Sequence, residues 1–387
     1  MRFLLVNRFF GGAQTPTGRM LQDVAEKLLA DGHEVVVLST LGGYVRAAPE
    51  LSASQLPGFD VRVVSQGRSL PKVVNWVWFL LHAILRVPFM RWDRCLLLTD
   101  PPFLVAAAPL ARLLHRRSRR IFLWTMDLYP EALNAAGIVT SGSLLYRALR
   151  WLAAAGLGAV DGVVSLGPRQ SLRLGQYRQW KDAASFTVVV PPWDHRPLPR
   201  PSEAVDRLQE RLGWKGLRIA LYAGNLGEGH TFEEFVAAAR SLHTVGRKDW
   251  LFVFAVRGSR VAALREAAAD LPNVKVMDYL PETETAALLW SATVHLISMI
   301  PGWEGIIVPS KLYGVLQTDA PTLFVGPEDA DTAYELGKLE RGKSLLAGSD
   351  GARVSATLDQ MAASRRKPES PADDPCIDRV AAFLCAV

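Results

Sequence analysis

Phe3-Leu4-Leu5-Val6, a loop over residues 7–17 that holds Gly11-Gly12, a periodic run over 18–30, and Glu34-Val35-Val36-Val37-Leu38 open the chain, and they decide its fold. The first four residues are all apolar and read as a buried strand. Met20, Leu21, Val24, Ala25, Leu28 and Leu29 recur at the spacing of one helix face. Gly32 stops that helix, and 34–38 reads as the next strand. Strand, loop, helix and strand in this order begin a doubly wound parallel α/β sheet. The Gly11-Gly12 loop lacks the G-x-G-x-x-G spacing of dinucleotide binders.

The alternation continues outward. Strands are expected at 61–64, 95–99, 121–124, 160–165 and 187–190. Residues 75–90 form an aromatic-rich helix with Trp76, Trp78 and Phe79, followed by Arg86, Arg91 and Arg94. That composition suits either a packing helix or one lying in a membrane interface. A helix over 110–120 ends in His115-Arg116-Arg117-Ser118-Arg119-Arg120. A run of cations with no acid suggests contact with anionic lipid. A further basic amphipathic helix is expected around 146–152. Asp127 follows the 121–124 strand, at the end that faces the ligand crevice of an open α/β sheet. It is a candidate acceptor-side carboxylate, or the cap of a helix that begins near Pro130.

Pro191-Pro192-Trp193-Asp194-His195-Arg196-Pro197 reads as a stiff hinge. A second alternation follows. The strand 219–222 runs into a loop with Gly224, Asn225, Gly227, Gly229 and His230, and Thr231 with Glu234 suggests a capping box. Another strand, 251–256, ends at Arg257. After the 294–297 strand comes Trp303-Glu304-Gly305-Ile306-Ile307-Val308-Pro309-Ser310-Lys311-Leu312-Tyr313-Gly314. Ser310 is the expected N-cap of a helix whose amides and dipole suit phosphate. Lys311 adds a cation, and Glu304 an acceptor for hydroxyls. The expected ligand is phosphorylated and rich in hydroxyl groups.

The chain's 387 residues and 49% hydrophobic content supply two ordinary cores. Residues 1–200 carry 24 Lys+Arg against 13 Asp+Glu, a net +11, and residues 201–387 hold the remaining 20 against 25, a net −5. A basic first half without a nucleic-acid motif favours a membrane face. Cys95, Cys376 and Cys385 are scattered and lack CxxC spacing, which suggests a reducing compartment and no zinc site. Residues 3–6 are too short for a signal-peptide core, and 73–85 falls short of a spanning helix. The expected location is cytoplasmic, peripheral on the inner membrane face.

Taken together, several motifs resemble one family. They are Pro16-Thr17-Gly18-Arg19-Met20, Gly32-His33-Glu34-Val35, Asp100-Pro101-Pro102-Phe103, Asp127-Leu128-Tyr129-Pro130-Glu131, Pro191-Pro192-Trp193, Gly224-Asn225-Leu226-Gly227 and Val308-Pro309-Ser310-Lys311-Leu312-Tyr313-Gly314. In order and spacing they resemble retaining family-4 glycosyltransferases of bacterial exopolysaccharide, O-antigen and colanic-acid assembly, over nearly the whole chain. The resemblance implies a GT-B fold, two Rossmann-like domains facing across a cleft. Residues 1–196 would form the acceptor-side, membrane-facing domain and 197–370 the nucleotide-sugar domain. Residues 371–387 would be a helix returning to the first domain.

The implied reaction moves a sugar from a nucleotide diphosphate-sugar to a lipid-linked glycan, with no metal and no other cofactor. Asp127, Glu304 and Lys311 would be catalytic. Gly224, Asn225, Gly227, His230, Arg257, Gly305, Ile306 and Ser310 would hold the donor and its diphosphate. Gly11, Gly12, Thr17 and Gly18 would form the acceptor-side loop. The chain departs from the pattern at three positions. Many members have two glutamates eight positions apart; here Glu304 is followed by Leu312, and Asn225 and His230 stand where an Arg and a Lys are common. A GT-B nucleotide-sugar epimerase and a non-catalytic GT-B binding protein are the alternative readings.

Overall fold

A computed structural model of the chain describes residues 1–11, 16–40, 59–66, 70–115, 119–177, 187–192, 198–364, 368 and 376–386. Two compact units divide it: Met1–Asp194 with Gly305–Val308 and Pro375–Val387, and His195–Glu304 with Pro309–Asp374. Gly12, Trp193 to Pro197 of the proline-rich hinge, and Arg116 to Ser118 of the basic run lie outside the described residues.

In the first unit the chain runs β1 (Arg2–Val6), α1 (Pro16–Ala30), β2 (Glu34–Ser39), β3 (Asp60–Val63), α2 (Lys72–Arg86), β4 (Arg94–Leu97) and α3 (Ala107–His115). It continues through β5 (Arg120–Trp124), α4 (Glu131–Ala135), α5 (Leu144–Leu157), β6 (Gly162–Ser165), α6 (Pro168–Leu174) and β7 (Thr187–Val189). The seven strands pair in parallel in the order β3-β2-β1-β4-β5-β6-β7. Strand order reverses between β1 and β4, so the crevice of this sheet opens at their carboxyl ends.

The second unit comprises α7 (Ser202–Arg211), β8 (Arg218–Asn225), α8 (Glu233–Thr244), β9 (Trp250–Arg257), α9 (Val261–Ala267), β10 (Val274–Met277), α10 (Glu282–Trp290) and β11 (Val294–Ser298). After them come α11 (Lys311–Val315), β12 (Thr322–Val325), α12 (Asp331–Lys338), β13 (Gly342–Leu345) and α13 (Gly351–Ala362). Its six strands, also parallel, run β10-β9-β8-β11-β12-β13, with the switch between β8 and β11. Alternation along the strands fills two cores. Tyr222, Phe252 and Phe254 pack with Phe235, Leu264 and Leu358. Ile219, Leu221, Leu251 and Val253 pack with Val205, Leu208, Leu288 and Trp290. Helices therefore cover both sheet faces, as strands buried on both sides require.

The last helix, α14 (Cys376–Ala386), belongs to the first unit. Phe383 meets Phe122 of β5 at 5.6 Å between ring centroids, and Asp378 pairs with Lys27 of α1 at 3.5 Å.

Three local expectations are corrected. The helix expected over 110–120 is described as far as His115 and does not reach 120, because Arg120 opens β5. Its cations also have an acid: Arg112 and Arg120 converge on Asp161, Arg120 at 3.1 Å. Arg119 stacks over Trp92 at 5.1 Å and donates to the Met90 carbonyl. Asp161 is distant in sequence, so the run alone could not reveal the pairing. The aromatic helix starts at Lys72, and Pro88 converts its end into a 3-10 turn over Val87–Phe89. By length and composition alone, Lys72–Phe89 is long and apolar enough to cross a membrane, which the sequence reading had denied it. The strand expected at 219–222 extends to Asn225 and takes in the first glycine of the loop.

Candidate functional site

The loop after β8 and the segment after β11 leave the switch point of the second sheet side by side. Lys311 joins them. Its Nζ donates to the Tyr222 hydroxyl at 2.7 Å and to the Asn225 carbonyl at 3.1 Å, and it stands 4.1 Å from the Tyr222 ring centroid. The Lys311 side chain also runs 3.8 Å from where a Cβ on Gly224 would sit. Among the described residues no carboxylate pairs with this ammonium. It is half-buried, and loss of water around the charge pushes its pKa down to about 7.

Beneath the loop lies a chain of hydrogen bonds. Tyr222 meets Ser298 at 3.3 Å, the Ser298 hydroxyl donates to the Thr231 carbonyl, and His230 Nδ1 lies 2.8 Å from the Ser298 carbonyl. That geometry makes Nδ1 the donor. Burial first, then Lys311, pushes the His230 pKa down to about 3, so the imidazole is neutral and holds the loop. His230 therefore brings no positive charge to a phosphate. Arg257 ends β9 paired with Asp278 and stacked 4.7 Å from the Tyr279 ring. Its charge is matched, unlike that of Lys311.

Gly258 follows Arg257 at φ +137°, and a Cβ there would lie 2.2 Å from the Leu226 carbonyl oxygen. Glycine lets the two loops close on each other. The expected capping box is absent. Thr231 donates to Glu233 and Glu234, and the N-cap position is Phe232.

Glu304 accepts the Gly302 amide at 2.8 Å, and the turn passes through Gly305 at φ +65°. A Cβ on Gly305 would stand 2.6 Å from the Arg169 carbonyl. Ile306 is buried, and its carbonyl accepts the Leu128 amide at 3.0 Å, within the first unit. Ser310 occupies the position before α11, yet its side chain makes no capping bond, and α11 is five residues long. Leu312 is buried in that helix, so a carboxylate has no counterpart there.

In the first unit, the strand ends at the switch point are tied together. Arg8 pairs with Asp100 at 2.9 Å, both side chains largely enclosed. The Gly11 amide donates to Gly18 at 3.0 Å, with Gly11 at φ +67°. Thr17 and Gly18 lie in the first turn of α1, directly after the undescribed Gly12 and its neighbours. Asp127 follows β5; the Thr99 hydroxyl accepts its amide at 3.3 Å and the Met126 amide at 3.0 Å. Asp127 keeps solvent contact on one side. The protein crowding its other side, and secondarily Asp100, push its pKa up to about 6.

Glu131, Tyr177 and Arg150 had not been singled out as a group. Glu131 is buried, and its Oε1 accepts from Tyr177 at 2.6 Å and Arg150 at 2.9 Å, while Oε2 has no partner. With Asp127 and Thr99, Glu131 and Tyr177 line a cavity of about 30 Å³, room for a water-sized group. The signal in the sequence was Glu131, four residues beyond Asp127. The structure thus gathers Gly224, Asn225, Gly227 and Lys311 at the second switch point, and Gly11, Gly18 and Asp127 at strand or helix ends of the first sheet. Among the described residues no cluster of three His, Cys, Asp or Glu side chains could hold a metal.

No family profile matches the chain. It is 25% identical over 339 residues to WbjE of Pseudomonas aeruginosa, named as a glycosyltransferase, covering 85% of this chain and 82% of WbjE. It is 23% identical over 362 residues to WcaI of Escherichia coli K12, named for glycosyl transfer in colanic acid biosynthesis, with 88% and 86% covered. Among solved structures it is similar to WaaG, a glycosyltransferase involved in lipopolysaccharide biosynthesis, at a TM-score of 0.65 and 13% identity over 100% of this chain and 96% of that one. It is similar also to Anabaena HepE in complex with UDP, at 0.61 and 12% over 99% and 95%. Two parallel α/β units of seven and six strands, together with these likenesses, make the fold GT-B.

Proposed function

We propose that the chain is a retaining family-4 glycosyltransferase, moving a sugar from a nucleotide diphosphate-sugar to a lipid-linked glycan at the cytoplasmic face of the membrane. The observation that carries this reading is Lys311: a half-buried ammonium that no carboxylate pairs with among the described residues, beside a glycine-bearing loop at a sheet switch point. Such a group is stabilised by an anion. The names of the two relatives support sugar transfer as the chemistry.

In the proposed reaction the bond between the anomeric carbon and the diphosphate oxygen breaks. The acceptor oxygen bonds to that carbon on the same face, and its proton passes to the departing diphosphate. Lys311 and the backbone at Gly224 to Gly227 hold the charge that develops on the leaving group. Glu304 binds the donor sugar, and Asp127 orients a hydroxyl. Arg257 serves the donor site through Tyr279 and Asp278 more than as a free cation. No metal and no other cofactor is assigned a role.

The test is to purify the protein in detergent and screen nucleotide-sugars for nucleotide release. Lys311→Ala is expected to lose turnover by roughly 100-fold or more, as when one preorganised charge partner is removed. Unchanged turnover in that variant would sink the phosphate assignment. Product formed without any acceptor would favour a nucleotide-sugar epimerase. Failure of every nucleotide diphosphate to bind would favour a non-catalytic binding protein, the reading that Leu312 motivates.

A further inference from the structure

The first unit carries a cationic cavity that the proposed sugar transfer leaves unused. It holds about 310 Å³ among β1, β2, β3 and the segment that ends α2, and its wall includes Arg2, Arg62, Arg86 and Arg91, with Val36 and Leu38. That is the size of a small-ligand site. Two of the four guanidiniums have carboxylates: Arg62 pairs with Asp60 at 2.9 Å, and Arg2 Nε lies 3.7 Å from Glu34. Among the described residues the Asp93 carboxylate accepts the Arg2 backbone amide and pairs with no guanidinium. Among the described residues Arg86 and Arg91 pair with no carboxylate, and residues 70–92 contain no acid at all.

An apolar stripe runs up to this cavity. Val73, Val77, Leu81 and Leu85 recur every fourth residue along α2, and Phe89 continues the row in the 3-10 turn. All five are exposed, Phe89 at 75%. Trp78 is exposed beside them. The opposite side of the helix is the packed one, through Phe79 and Ala83. Contiguous exposed apolar surface of this kind marks a docking face. Bordering cations without acids make an anionic partner the complement.

We propose that this cavity receives the phosphate of an anionic membrane lipid, whose apolar chains lie against the Val73-to-Phe89 stripe. Guanidinium forks match phosphate oxygens in geometry and charge. The inference rests on the peripheral-membrane reading and gives it a headgroup class and a set of residues.

The experiment is co-sedimentation of the full chain with vesicles of phosphatidylcholine alone and of phosphatidylcholine with phosphatidylglycerol. Binding is expected to the anionic vesicles and to weaken as salt rises. Arg86→Gln/Arg91→Gln should weaken it by about tenfold or more, from two lost headgroup contacts. Leu81→Ser/Phe89→Ser should also weaken binding to the anionic vesicles. Equal binding by wild type and the arginine variant would overturn the proposal. So would a cavity that serves soluble anions only: inorganic phosphate raising the melting temperature of the wild type but not of the arginine variant, with no vesicle binding. The thermal shift with UDP reports separately on the second unit. Loss of vesicle binding with that shift retained shows that the variant is folded and supports the proposal. Intact vesicle binding with no UDP shift in any protein supports the headgroup site while counting against the transferase reading.

Discussion

Lys311 has two opposite dependences on pH, and both follow from one displaced pKa. In the free protein the ammonium releases its proton at about 7, against an ordinary 10.5. A bound diphosphate favours the charged form, so binding takes up a proton wherever the free group is neutral. Affinity for UDP is therefore expected to be flat just below pH 7 and to fall by about tenfold per unit above it, up to the pKa of the bound state. Calorimetry from pH 7 to 9, in buffers of differing ionisation heat, should show proton uptake. The contribution to folding runs the other way. Between about 7 and 10.5 the unfolded chain holds the proton and the folded chain has released it, so this group's share of stability rises with pH there. Lys311→Met should remove the slope in affinity. The cation was legible in the sequence; that no described carboxylate pairs with it was not, because that depends on which strand ends meet. His230 shows the reverse. Its place in a glycine loop suggested a phosphate ligand, yet burial keeps it neutral and its bond to the Ser298 carbonyl fixes it as a strut.

At the scale of elements, strand cores could be read directly and helix ends could not. Apolar runs of four to six residues located β1, β2, β5, β9 and β11, because parallel strands covered on both faces must be apolar throughout. β13, with the residues Gly342-Lys343-Ser344-Leu345 at the sheet edge, carries no such signature and had not been anticipated. Serines preceding helices show why caps are harder to read. The Ser143 side chain accepts the Tyr146 amide at 3.1 Å at the start of α5, whereas Ser310 caps nothing. Ser143→Ala should cost about 1 kcal/mol of stability and Ser310→Ala less than about 0.5, compared by denaturant melts. Gly258 tests the loop as a unit. A Cβ there meets the Leu226 carbonyl at 2.2 Å in a backbone conformation that L residues avoid. Gly258→Ala should destabilise the second unit by about 2 kcal/mol or more and abolish the thermal shift with UDP. An unperturbed shift would show that the loop next to Gly227 is not part of the donor site.

On the scale of the molecule, the order of the chain and the order of the units differ. The doubly wound plan of each half was legible from alternation, since helices on both faces follow from strands without a polar side. The return of Gly305–Val308 to the first unit was not, because no local pattern marks it. The last helix, α14, was expected to return. It brings Val380, Ala381 and Leu384, all buried, into the first unit together with Phe383 against Phe122. The first unit is thus incomplete without α14. Leu384→Asp places a carboxylate where the side chain has no exposure, and it should cost about 3 kcal/mol or more. The loss should be local. Hydrogen exchange should accelerate in α1, β5 and β7, while β8, β9 and β11 keep their protection and UDP still shifts the second unit's melting. Uniform loss of protection across both sheets would instead mean that the two units unfold as one, and α14 would then be a keystone of the whole chain.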